Sequence, residues 1–142
     1  MKRILPLLLA VGLLVPLLLT ACSAKPVKAV YTASGDGTRP EDLEKTTVFK
    51  PDDDLNLVIT LNSHSRTLPV KAVFTAPDGV QYQTDDLNMD DTAGVAVLGL
   101  DWEMQNNALW TVGDWKADVY VDNKLEDTVK FSVEAADTTS AG

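Results

Sequence analysis

The chain has 142 residues, 12 Lys and Arg against 21 Asp and Glu, a formal net charge of −9 and 45% hydrophobic residues. That sign of charge excludes a nucleic-acid binder, which must neutralise phosphates, and it opposes docking by charge alone on anionic lipid headgroups. One cysteine and one histidine exclude an internal disulfide and leave too few ligands for a zinc or copper centre.

The first element is an export signal. Lys2 and Arg3 precede an uncharged, Leu-rich run from Ile4 to Ala21. Charge, apolar run, then small residues is the order of a secretory signal. The run is long enough for a marginal membrane span, but Pro16 interrupts it and no basic cluster follows to stop transfer. Leu19-Thr20-Ala21-Cys22 resembles the lipobox of bacterial lipoproteins. The resemblance implies cleavage before Cys22, a diacylglyceryl thioether on its sulfur and an acylated new N-terminus. Residues 1–21 are then the signal peptide and 22–26 a lipidated tether. No cofactor is expected beyond those covalent chains. The remaining 121 residues suit one domain, and loss of two basic residues and no acid takes the net charge to about −11.

Val27 to Thr32 is a candidate first strand, and Ser34 to Pro40 is dense in turn formers. Thr46 to Phe49 is a short second candidate, stopped by Pro51 and three aspartates. Leu55 to Leu61 alternates strictly, with Leu55, Leu57, Ile59 and Leu61 on one face. Asn62 to Ser65 reads as a turn. Val70 to Ala76, then Pro77-Asp78-Gly79, then Val80 to Thr84 reads as a hairpin, because Pro fixes φ and Gly accepts positive φ. Asp85 to Asp91 is a polar, acidic stretch, and Val95 to Leu100 a further strand. Trp102 to Trp110 is a helical turn or a long loop. Trp115 to Val121 alternates with Trp115, Ala117, Val119 and Val121 on one side, Asp122-Asn123 turns, and Leu125 to Val133 returns. Residues 135–142 form a small, polar tail expected to fray.

Seven or eight short strands, with turn signals about every ten residues, predict an all-β, antiparallel sandwich over residues 27–134. Gly113-Asp114-Trp115, Val119-Tyr120-Val121-Asp122 and Phe131-Ser132-Val133 resemble the last hairpin of bacterial immunoglobulin-like domains, and Pro77-Asp78-Gly79 resembles their middle hairpin. The resemblance spans residues 55–133 and implies that fold, with no activity attached.

Candidates for chemistry are few. His64 lies between Ser63 and Ser65, but no Gly-x-Ser-x-Gly motif accompanies it, so it reads as a turn residue. Carboxylate pairs are frequent enough to arise by chance, and a small sandwich has little room for a sugar cleft. Calcium needs only oxygen ligands, and Asp52, Asp54, Asp85, Asp86, Asp90 and Asp91 lie on predicted loops, without an EF-hand pattern. Trp115 reads as core, whereas Trp102 and Trp110 flank an irregular segment and are candidate contacts for a partner or a sugar. The expected function is a non-catalytic interaction module of the cell envelope, held to the membrane by Cys22 and facing an exported or envelope protein. The alternative is a small-ligand, calcium or carbohydrate-binding lipoprotein.

Overall fold

The computed structural model describes residues 25–136. The expected signal peptide, Cys22 and most of the expected C-terminal tail lie outside them. Ten strands follow in order: β1 Val27–Ser34, β2 Glu44–Lys45, β3 Val48–Phe49, β4 Leu55–Leu61, β5 Leu68–Thr75, β6 Gln81–Gln83, β7 Leu87–Met89, β8 Val95–Leu100, β9 Gly113–Val121 and β10 Lys124–Val133. One sheet has the order β2-β1-β4-β8. The other has the order β3-β10-β9-β5-β6, with β7 also pairing with β5. All pairings are antiparallel except β3 with β10.

Alternation explains the two layers. Leu55, Leu57, Ile59 and Leu61 turn inward from β4, and Val70, Ala72 and Phe74 from β5. Ala117, Val119 and Val121 do so from β9, and all of these are buried. Stacked sheets that interdigitate such faces need no other fastening. A row of aromatic rings runs through one half of this core. Phe49 meets Phe131 edge-on with centroids 5.2 Å apart, Phe131 stacks on Trp115 at 5.9 Å, and Trp115 meets Trp110 edge-on at 5.9 Å.

The turns follow their residue chemistry. Asp122 and Asn123 both adopt positive φ, 53° and 62°, as a tight two-residue hairpin requires. Gly79 sits at φ 87° after Pro77-Asp78. Gly113, at φ 137°, lies so close to Pro77 that a Cβ there would meet its ring.

Three features differ from the sequence expectation. The acidic stretch 85–91 contains β7, because Leu87–Met89 finds a partner in the first three residues of β5. Glu44–Lys45 adds a two-residue strand to the end of β1. The outer face of β4 is also covered: Val58 and Asn56 are 1% and 8% exposed, and Asn56 Nδ2 donates to Gly35 O at 2.8 Å.

Register fixes the two ends of the sandwich. Val27 pairs with Leu61, and Asn62 Nδ2 donates to Lys25 O at 2.7 Å, so the chain enters beside the turn after β4. At that same end His64 bridges two segments, with Nδ1 3.0 Å from Asn62 O and Nε2 2.6 Å from Asp90 O. Two carbonyls can both be satisfied only by the doubly protonated ring, so these contacts raise the His64 pKa, the Asn62 carbonyl most. A raised folded-state pKa adds stability that is complete below the unfolded value of about 6.5 and is lost as pH climbs through the folded value. The heat-unfolding midpoint should therefore fall between about pH 6 and pH 8, and His64→Gln should flatten that slope. An identical slope in the variant would remove His64 from the account.

Candidate functional site

The end of the sandwich opposite to the chain entry is built from three loops. Residues 35–43 follow β1, residues 50–54 precede β4, and residues 101–112 join β8 to β9. The last is the longest and holds a short 310 turn, Glu103–Gln105, followed by Asn106 and Asn107 at positive φ. Gln105 N–H donates to Trp102 O and Ala108 N–H to Gln105 O, so the segment folds on itself.

Trp110 anchors this loop. Its ring is 3% exposed, its indole N–H donates to Asp53 O at 2.7 Å and its backbone N–H to Pro51 O at 2.9 Å. It is therefore a plug of the core and not an exposed contact, which corrects that part of the sequence reading. The reason is geometric: two bonds to the 50–54 loop and an edge-on contact with Trp115 hold the ring inward. Trp102 is half-buried against the core, and its backbone N–H donates to Asp54 Oδ1 at 2.9 Å. Its indole N–H is buried without a partner among the described residues.

Other apolar side chains of the same loop take the exposed role. Met104 is 79% exposed, Leu109 66% and Val112 52%. They have no apolar periodicity in the sequence, so pattern reading passes over them. All three belong to the 101–112 loop and leave apolar surface in water at this end of the sandwich.

Beside them lies an acidic hollow of about 460 Å³ whose carboxylates are Asp36, Asp52, Asp53, Asp54, Asp101 and Glu103. Asp54 has its pKa raised, first by burial and then by the charges of Asp101, Asp36 and Asp53, against the lowering effect of its bond to Trp102 N–H. The calcium candidates do not converge. Asp52 and Asp54 are here, whereas Asp90 and Asp91 follow β7 at the other end, and Asp85 and Asp86 lie between β6 and β7. Asp90 Oδ1 accepts from Thr92 N–H and Oγ1, bonds that lower its pKa. Among the described residues no group of three or more acids, histidines or cysteines could hold a metal ion.

A broader groove of about 640 Å³ runs over the outer face of the second sheet, past Val48, Pro77, Asp114, Lys116 and Lys130. His64 lies far from it in the fold, with both ring nitrogens on backbone carbonyls.

No family model matches the chain, and no curated protein matches it significantly. Among solved structures, an immunoglobulin-like protein from Pseudomonas aeruginosa is similar at TM-score 0.50 and 13% identity, covering 75% of this chain and 92% of that one. The fold is an immunoglobulin-like β-sandwich. Two further chains overlap more loosely. One is the alkylpurine DNA glycosylase AlkC of Pseudomonas fluorescens, at TM-score 0.47 and 14% identity, covering 63% of this chain and 28% of that one. The other is a candidate lipoprotein from Bacillus anthracis, at TM-score 0.38 and 13% identity, covering 65% and 71%. The present chain thus spans little more than a quarter of the glycosylase's length. Likeness at these identities concerns the fold alone.

The two tryptophans should respond oppositely to removal of their N–H. Trp110→Phe breaks the bond to Asp53 O and shrinks a core side chain, and should cost about 1–3 kcal/mol in denaturant unfolding. Trp102→Phe removes a buried donor that has no partner, and should be neutral or stabilising. Equal losses in both would contradict the assigned roles.

Proposed function

We propose that the chain is a lipid-anchored, extracytoplasmic interaction module, which binds another envelope or exported protein with the loop end farthest from its anchor and catalyses no reaction. The observation that carries this reading is the polarity of the sandwich. The chain enters at one end, beside Leu61 and Asn62, while Met104, Leu109 and Val112 stand exposed at the other.

Leu19-Thr20-Ala21-Cys22 supplies the anchor. Two or three acyl chains hold a small domain on a membrane durably, since each buried methylene contributes about 0.8 kcal/mol. Only three positions separate Cys22 from Lys25, a span of roughly 10 Å at full extension. The entry end would then face the lipid closely. Among the described residues no helix is long and apolar enough to cross a membrane.

Side-chain chemistry favours contact over catalysis. The only histidine spends both ring nitrogens on carbonyls. The exposed loop offers apolar anchors and contributes Asp101 and Glu103 to the acidic hollow, which suits a protein surface of complementary shape and positive charge. The alternative of a small-ligand, calcium or carbohydrate-binding lipoprotein is weaker, because Trp110 is buried and the candidate aspartates are dispersed.

Two variants separate anchor from contact. Cys22→Ala should leave the membrane fraction or accumulate unprocessed, with folding unchanged. Met104→Glu combined with Leu109→Glu should keep the protein on the membrane and reduce recovery of its cross-linked partner about tenfold or more, in line with loss of an apolar hot spot. A correctly processed membrane pool of the first variant would refute the anchor. Undiminished cross-linking by the second would refute the contact loop.

A further inference from the structure

Edge strands expose a row of unpaired N–H and C=O groups, and proteins ordinarily blunt them with charge, proline, a bulge or brevity. Three of the edges here are blunted in those ways. β2 is two residues long and charged, and β3 is two residues long. β6 has three residues, Gln81–Gln83, two of them polar. The part of β1 that β2 leaves uncovered carries Lys28 and a bulge between Val27 and Ala29.

β8 has none of these devices. Val95-Ala96-Val97-Leu98-Gly99-Leu100 is six residues long, without charge or proline, and pairs with β4 in unbroken register. Its ladder can be phased. Leu61 N–H donates to Gly94 O at 2.8 Å, so 61 and 94 are a hydrogen-bonded pair. Bonded and non-bonded pairs alternate along an antiparallel ladder. Ala96, Leu98 and Leu100 therefore bond to β4, and Val95, Val97 and Gly99 turn their N–H and C=O away from it. Among the described residues no hydrogen bond outside the β4 ladder reaches those three. The same three residues face the outside of the sheet, where Val95 is 47% exposed. Gly99 bears no side chain because the Asn56 side chain already fills the place its Cβ would take.

The surroundings are acidic throughout. Asp90 and Asp91 precede β8 and Asp101 follows it, while Asp36 and Asp54 line a hollow beside Val97 and Gly99. Edge-to-edge pairing with a second copy would bring these carboxylates together, which like-charge repulsion opposes. An incoming basic segment meets the opposite situation. We propose that the free edge of β8 accepts an extended, positively charged segment of another polypeptide as an added strand. Main-chain bonds to Val95, Val97 and Gly99 supply affinity, β-branched side chains beside Val95 and Val97 supply fit, and flanking Lys or Arg residues meet the acids. This site stands on a different element from the exposed loop, so its failure leaves that reading intact.

Amide hydrogen exchange on the full chain in detergent micelles, with the synthetic peptide Lys-Lys-Thr-Val-Thr-Val-Lys-Lys as probe, tests this directly. Saturating peptide should slow exchange at Val95, Val97 and Gly99 about tenfold or more, and leave Ala96 and Leu98, already bonded to β4, nearly unchanged. The same peptide with Glu for Lys should have no effect. Val97→Pro should abolish the response while sparing the β4 ladder, because only the outward N–H is lost. Val97→Lys should also abolish it by repelling the probe, without relying on proline being tolerated. No slowing at those three amides, equal slowing by the acidic peptide, or a sedimenting dimer whose β8 amides are already protected would each overturn the proposal.

Discussion

Everything in this domain hangs on the contact between two apolar sheet faces. With a single cysteine, placed before the first strand, no disulfide can staple the sheets. Stability must come from interdigitated side chains, chiefly those of β4, β5 and β9, and from the aromatic row that reaches from Phe49 to Trp110. Trp110 also ends that row. By donating to Asp53 O it ties the 101–112 loop to the 50–54 loop and closes the sandwich. The loops at that end are therefore held by the core, and the side chains left over (Met104, Leu109 and Val112) are presented from a fixed base.

The same packing separates two poles. One end receives the chain and mixes both signs, Lys25, Arg66 and Lys124 lying with Asp122 and Glu126, and Arg66 pairs with Asp122 at 2.7 Å. The other gathers six carboxylates from three loops, and burial first, then the neighbouring charges, raise the pKa of Asp54 there. A domain anchored by the first end would turn its acidic, apolar-tipped end outward. The strong negative net charge read from composition is spread over both ends of the fold, since Asp90, Asp91, Asp122 and Glu126 lie at the entry end. It also limits self-association, and this is what makes an unblunted strand such as β8 tolerable.

Strands with long periods were legible in the sequence. Leu55–Leu61 and Trp115 to Val121 each alternate over seven residues, the latter within the nine of β9, and the Pro77-Asp78-Gly79 and Asp122-Asn123 turns follow from backbone preference. Two- and three-residue strands such as Glu44–Lys45 and Leu87–Met89 carry no period and are set by the partner strand alone. The candidate site was legible only in part. Trp102 and Trp110 were found by residue type, but burial depends on Asp53 and Pro51, more than fifty residues away, so their roles could not be told apart. Asp52 and Asp54 were visible as a local run. Their companions Asp36 and Asp101 come from distant loops and gave no local signal. Met104, Leu109 and Val112 were the most informative residues missed, and a count of apolar side chains within a predicted loop would have found them.

Orientation on the membrane is the most direct measure of this account. Cys22 is the only cysteine, so Met104→Cys and Lys124→Cys each add one thiol for a dye in the lipidated, full-length chain. Energy transfer from those dyes to acceptor-labelled lipid headgroups in vesicles reports their height. β9 spans nine residues between the two ends, about 30 Å. The account predicts strong transfer from residue 124 and weak transfer from residue 104, with heights differing by roughly that length. Equal heights, or residue 104 nearer the lipid, would contradict it.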